Sequence, residues 1–152
     1  MDDNCKIREM KLEDYEGVYD LWMSIHGFCI RSIDDSREGV ERFIRRNPTT
    51  SIVAEAAGKI VGAVLCGNDG RRGCLYHVCV ASLYRKQGIG KAMVAEAVEA
   101  LQREQINKIS VVAFTDNAVG NRFWKDLGWT QRDDLNYYDY TLNEKNRTTF
   151  NP

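Results

Sequence analysis

The sequence predicts a mixed α/β fold in one domain spanning residues 1–152, with element order β-α-α-β-β-β-α-β-α-β-β. Its central sheet is expected to be mostly antiparallel with one parallel pair. Three observations carry this. Apolar spacing along the chain switches between strand-like and helical periods. The runs between Ser51 and Val80 are separated by glycine turns and read as an antiparallel meander. The apolar run Leu75–Val80 then leads through a glycine turn into a helix and on to another buried strand, the crossover that makes two strands parallel.

Lys6 to Met10 reads as the first strand. Leu12 to Ile25 places Tyr15, Val18, Tyr19, Leu21, Trp22 and Ile25 at helical spacing, and Gly27 ends the helix. Phe28 to Ile33 is irregular. Asp34-Asp35-Ser36 offers an N-cap to a second helix through Val40, Phe43 and Ile44, which Asn47-Pro48 stops. Ser51–Glu55 and Lys59–Cys66 form a hairpin about Ala57-Gly58, and the glycine-rich turn 67–73 leads into the strand at Leu75. The helix after the glycine turn runs to about Arg103, with Ile89, Met93, Ala97, Ala100 and Leu101 inward. Lys108 to Phe114 is a buried strand. Asn117 to Leu127 is a helix ended by Gly128. Trp129-Thr130 starts another strand, and Tyr137 to Leu142 is expected to be the last. The polar tail 143–152 is expected to be loose.

Composition narrows the function classes. Net charge is −1, which gives no footprint for nucleic acid or a membrane surface. No segment approaches the ~20 apolar residues of a membrane span, and the N-terminus is too polar for a signal peptide. The five cysteines are odd in number and without C-x-x-C spacing, so they are expected to be reduced thiols of a cytoplasmic protein. No metal site is indicated, because His26 and His77 are far apart and no ligand set has metal spacing.

The most informative stretch is Cys74–Ala92. A strand, a glycine turn and a helix N-terminus together form a phosphate site. Amides unpaired in the first helical turn point outward, and the helix dipole favours an anion there. Arg85, Lys86 and Lys91 add positive charge. The Walker pattern fails, since Gly90-Lys91 is followed by Ala92, and the dinucleotide pattern fails, since Met93 stands where a third glycine belongs.

What remains is Arg85-x-x-Gly88-x-Gly90, after a strand reading HVCV and before an amphipathic helix. This resembles the pyrophosphate loop of the GNAT acyltransferases, which move acetyl groups from acetyl-CoA to amines, and the predicted element order matches that fold. The resemblance implies two parallel strands that splay apart and admit the pantetheine arm of acetyl-CoA along Val78-Cys79-Val80. It places the pyrophosphate on the amides of Gln87, Gly88, Ile89, Gly90 and Lys91, flanked by Arg85 and Lys86. Asn117, in Asp116-Asn117-x-x-Gly120, is either a pantetheine contact or simply a helix N-cap. Trp124 stands where the family usually carries the tyrosine that protonates the leaving thiolate, and an indole N–H is too weak an acid for that. Tyr137 or Tyr138 is then a candidate donor, or the thiolate leaves unaided. His77 has the pKa class of a general base, or is a satisfied core histidine. The run Asp69-Gly70-Arg71-Arg72-Gly73 with Tyr76-His77 resembles a bacterial subgroup close to the ribosomal-protein N-acetyltransferases. The expected partners are acetyl-CoA and an amine of a small molecule or peptide N-terminus, with a homodimer possible. A CoA-binding regulatory or sensor domain is the rival reading, prompted by Trp124.

Overall fold

Side-chain alternation along the central strands decides how the layers stack. β3 (Ile52–Ala56) and β4 (Lys59–Asn68) are buried on both faces. Val53, Ala63 and Leu65 point to one core, and Ala54, Val64 and Cys66 to the other. A sheet so lined must be covered twice. The computed structural model describes residues 4–152 and shows that arrangement. On one face lie α1 (Tyr15–Met23) and α2 (Arg37–Arg46), contributing Val18, Leu21, Trp22, Val40 and Ile44. On the other lies α3 (Ile89–Arg103), contributing Met93, Val94, Ala97 and Leu101.

The main sheet has the order β1-β3-β4-β5-β6, with β1 at Cys5–Glu9, β5 at Gly73–Val80 and β6 at Ile109–Val111. Its pairs are antiparallel except β5–β6, which is parallel through the α3 crossover. The mixed α/β class, the meander and the single parallel pair are as expected. α4 (Ala118–Asp126) follows β6, and Asn117 caps it by accepting from the Gly120 amide at 3.0 Å. Arg8 ties the sheet edge together through charge-assisted bonds to Asp14 (2.8 Å) and Glu55 (2.9 Å).

Several elements differ from the sequence expectation. Ser36 alone is the N-cap of α2, accepting from the Gly39 amide; Asp35 turns inward instead. Within the irregular stretch 28–33 a short strand forms, β2 (Cys29–Arg31). The strands expected at Trp129-Thr130 and Tyr137–Leu142 do not form, and residues 131–142 are irregular and exposed. Aromatic strand propensity acts only on a paired, half-buried surface, and this segment stays unpaired and exposed. Lys108–Phe114 was read as one strand, but only 109–111 is paired, and Val112 and Phe114 are exposed. The expected loose tail is held: β7 (Thr148–Phe150) pairs with β2. Asn151 is buried and donates to the carbonyls of Trp22 (2.8 Å) and Ile25 (3.0 Å). That role rests on hydrogen bonds between distant residues, which leave no hydrophobic period in a sequence. Among the described residues no helix is long and apolar enough to cross a membrane.

Candidate active site

β5 is built in two halves with different backbone phases. Gly73 N–H donates to Lys108 O at 2.9 Å, so odd-numbered amides in the first half turn toward β6. Ala81 N–H donates to Val61 O at 2.8 Å, so beyond the second half odd-numbered amides turn toward β4. Between these points Leu65 pairs with Tyr76 and Ala63 with Cys79, two steps on β4 against three on β5. The extra residue is a β-bulge that reverses the phase. His77 sits in it with φ of 52°, left-handed for a non-glycine residue, a strain that surrounding contacts must hold in place.

The bulge has a chemical consequence. β6 pairs with β5 only as far as Leu75 opposite Val111. Beyond it the strands part, and the reversed phase turns the amides of Val78 and Val80 into the gap. The Cys79 amide faces β4, so of the three residues expected there it offers no donor to the gap. Burial pushes the Cys79 thiol up to about 12, so it stays protonated near neutral pH and does not act as a nucleophile. The side chains of Val78 and Val80 pack on the α3 core, which leaves only their backbone to serve a ligand.

The gap leads to the glycine loop. The amide of Ala92 donates to Gly88 O at 3.0 Å, beginning the helix ladder. The amides of residues 86–91 have no acceptor among the described residues. Lys86 and Gly88 are both left-handed, with φ of 62° and 83°. Alternating left- and right-handed residues curl successive N–H groups into an anion-binding concavity. Gly90 is required for a different reason: a Cβ there would stand 3.3 Å from the Phe123 ring of α4 and 3.7 Å from Val80. Ile89 is buried, so it contributes its amide only. Arg85, Lys86 and Lys91 are exposed around the loop, and Arg85 is steered by an Nε–H bond to Val80 O at 3.0 Å. Gln87 lies in the same turn, its side chain toward Leu83 O. A pyrophosphate fits this donor set: unpaired amides, a helix N-terminus and flanking cations.

On the opposite face of the sheet His77 meets α1 and the chain that follows it. Its Nε2 lies 2.9 Å from Oδ1 of Asp35, which is 4% exposed. The ring is packed between Trp22 and Phe28, each with a centroid separation of 4.9 Å. Trp22 Nε1, close by, is buried without a hydrogen-bond partner. Sequence reading singled out His77 but missed Asp35, Trp22 and Phe28, which its helix and cap assignments had absorbed.

The other candidates are less closely gathered. Trp124 packs between Phe123 (4.9 Å) and Trp129 (4.7 Å), where it supports the core behind the glycine loop. The Asn117 carbonyl oxygen is committed to its cap. Tyr137 and Tyr138 are exposed on the irregular segment rather than on a strand. On β5, burial first and then a hydrogen bond with Cys74 push the Tyr76 hydroxyl up to about 12. Among the described residues no cluster of three or more His, Cys, Asp or Glu is placed to hold a metal.

Comparison with known proteins agrees with this geometry. The model of the acetyltransferase (GNAT) family matches residues 15–129. An acetyltransferase of Pectobacterium atrosepticum is 32% identical over 112 residues, 74% of this chain and 78% of that one. One from Sodalis glossinidius is 29% identical over 130 residues, 86% of this chain and 90% of that one. Among solved structures, the paia N-acetyltransferase of Thermoplasma acidophilum, in complex with coenzyme A, superposes with a TM-score of 0.73 at 18% identity, covering 85% of this chain and 91% of that one. The aminoglycoside acetyltransferase AAC(6')-Iy, with a bisubstrate analogue, gives 0.69 at 16%, covering 91% and 99%. At these identities the structural likeness establishes the fold.

Proposed function

The chain belongs to the GNAT acetyltransferase family, and from that premise we propose that it transfers acetyl directly from acetyl-CoA to a primary amine of a small molecule or a peptide N-terminus. Acetyl transfer is the family's activity, and it displaces the sensor-domain reading that Trp124 had prompted. The observation that carries the site assignment is two neighbouring groups of available amides, Val78 and Val80 in the gap and residues 86–91 in the loop.

The roles follow from these two groups. The loop amides, with Arg85, Lys86 and Lys91, bind the pyrophosphate of acetyl-CoA. The amides of Val78 and Val80 pair with the pantetheine arm and face the thioester oxygen as charge develops on it. One such preorganised donor is worth on the order of 10²–10³ in rate. Asn117 and Trp124 border the arm from α4, Asn117 through its side-chain amide N–H groups and Trp124 through its ring. His77 takes the proton from the incoming amine. The amine nitrogen bonds to the acetyl carbon, the carbon–sulfur bond breaks, and the CoA thiolate departs. With a thiol pKa near ~8.5 it is a fair leaving group that needs only modest acid help. Tyr137 or Tyr138, both exposed on the segment after α4, supplies that help, or the thiolate leaves unaided.

The resemblance of the Asp69–His77 run to ribosomal-protein N-acetyltransferases supports a peptide amine as acceptor. The odd number of cysteines, without C-x-x-C spacing, supports a reducing, cytoplasmic setting. A homodimer is supported by the unpaired outer edge of β6, flanked by exposed Val112 and Phe114.

The test is thiol release from acetyl-CoA against a panel of small amines and peptide N-termini, with His77→Ala as control. The expected result is turnover with at least one acceptor and a loss of about 10²–10³ in kcat for the variant, with the KM for acetyl-CoA unchanged. Turnover equal in the variant would remove His77 as the base.

A further inference from the structure

The geometry points to Asp35 as the positioning residue that selects which nitrogen of His77 does the work: it holds the ring as the Nε2–H tautomer and leaves Nδ1 as the basic atom facing the acceptor amine. This rests on the reading of His77 as the base and goes beyond it by assigning the tautomer and the group that sets it.

The hydrogen-bond inventory around Asp35 leaves little freedom. Its Oδ2 accepts from the Arg31 backbone N–H at 2.6 Å, and its Oδ1 faces His77 Nε2 at 2.9 Å. A carboxylate only accepts, so the nitrogen facing it must carry a proton. The carboxylate itself cannot swing away. It is 4% exposed, and its own backbone carbonyl accepts from the Tyr15 hydroxyl at 2.8 Å, fastening the turn to α1. Nor can the ring turn over easily, because Trp22 and Phe28 pack against it.

Nδ1 is then the free acceptor. It has no hydrogen-bond partner among the described residues. Nε2 is committed to Asp35, in the connection between α1 and α2, so Nδ1 is the ring nitrogen left to take a proton. In the reaction the proton leaves the acceptor ammonium for Nδ1, giving an imidazolium with both nitrogens protonated. Asp35 offsets that charge without taking the proton. The neutral amine then attacks, the carbon–sulfur bond breaks, and the second nitrogen proton passes to the departing thiolate, giving the amide and CoA thiol.

The substitution Asp35→Asn makes the proposal testable, because an amide cannot accept at both ends. The Arg31 N–H is fixed by the backbone and claims the amide oxygen. The NH2 group then faces His77 Nε2, which must become an acceptor, and the proton moves to Nδ1. The fold is kept and the tautomer is wrong, a situation known to cost orders of magnitude in a Ser-His-Asp site.

The experiment uses the full chain labelled with 15N-histidine, with the signals of His26 and His77 separated by a His77→Gln variant. Two-bond 1H–15N spectra report the tautomer directly. The expected result is Nε2–H in the wild type and Nδ1–H in Asp35→Asn, with kcat down at least a hundredfold and the acetyl-CoA melting shift retained. Nδ1–H in the wild type would overturn the proposal, and so would Asp35→Asn with an unchanged tautomer or a kcat within threefold. If Asp35→Asn does not fold, the wild-type spectrum alone decides. If His77→Gln keeps full activity, the base reading fails, while the spectra still decide separately whether Asp35 sets the tautomer.

Discussion

The two halves of β5 lie on one strand, eight residues long, and have opposite uses. In the first, Gly73 to Leu75 is paired on both sides, with β4 and with β6. In the second, Val78 and Val80 are flanked only by β4. One extra residue at His77 separates them. What the difference teaches is that the same backbone groups either stabilise a sheet or recognise a ligand. A one-residue bulge is enough to pass from one use to the other.

A pair of glycine substitutions breaks this comparison open, with the largest expected effect. Gly88 has φ of 83° and nothing within 4 Å of where a Cβ would stand. Gly88→Val therefore meets no clash but strains the left-handed backbone, which must reorient the loop amides. Gly73 is the reverse case: a Cβ there would stand 2.6 Å from Leu101 Cδ1. Gly88→Val is expected to lose the acetyl-CoA melting shift, which in the wild type at a hundred times Kd corresponds to about 2.7 kcal/mol, while the unliganded melting temperature changes little. Gly73→Val is expected to lose about 1–3 kcal/mol of stability by overpacking and keep its KM for acetyl-CoA. The two variants exchanging these phenotypes would mean that the loop is only a turn.

The donor side of this molecule was far more legible in the sequence than the acceptor side, and the reason is physical. Gly88, Gly90 and the charges about them act through backbone geometry local to one turn, which short-range residue patterns record. The splay after Leu75 followed from the resemblance, but the bulge that reverses the amide phase did not. It is written in the register between two strands, and His77 gives no glycine to mark it. Asp35 was read as part of a cap because its partner lies 42 residues away. Tyr137–Leu142 had strand composition yet pairs with no strand among the described residues, and the polar tail had no pattern at all until Asn151 closed onto α1. Long-range hydrogen bonds between single polar residues are what a one-dimensional reading loses.

That buried asparagine gives the next prediction, which sharpens the contrast from the acceptor side. Asn151 satisfies two carbonyls at the end of α1, the helix that carries Trp22 against His77. Asn151→Ala leaves both without that donor, at a cost of about 1–3 kcal/mol, or roughly 2–4 °C in melting temperature per kcal/mol for a chain of this size. Its effect should fall on kcat with the amine and spare the acetyl-CoA melting shift, because the glycine loop lies on the other face of the sheet. A variant that lost CoA binding in proportion to kcat would show that the two faces are not separable.

The effect with the least bearing on activity lies at the sheet edge, where neither face of β5 is involved, and it is read through pH. Burial alone would raise the pKa of Asp14, but the bonds from Arg8 and from the Lys11 amide together outweigh it and hold the carboxyl below its ordinary range. A carboxyl depressed in the folded state stabilises above its unfolded pKa, near ~3.9, and that contribution is lost as pH falls through the lower folded value. Arg8→Met removes the partner, so the variant should be less stable than the wild type by about 2 kcal/mol at pH 7. The gap should narrow steadily below pH 4 as Asp14 takes up its proton in both proteins. Urea midpoints measured from pH 7 to pH 2 check this, with the acetyl-CoA affinity at pH 7 unchanged throughout. A difference that stayed constant across that range would mean that Arg8 stabilises the edge by packing its aliphatic stem, and that its charge contributes nothing there.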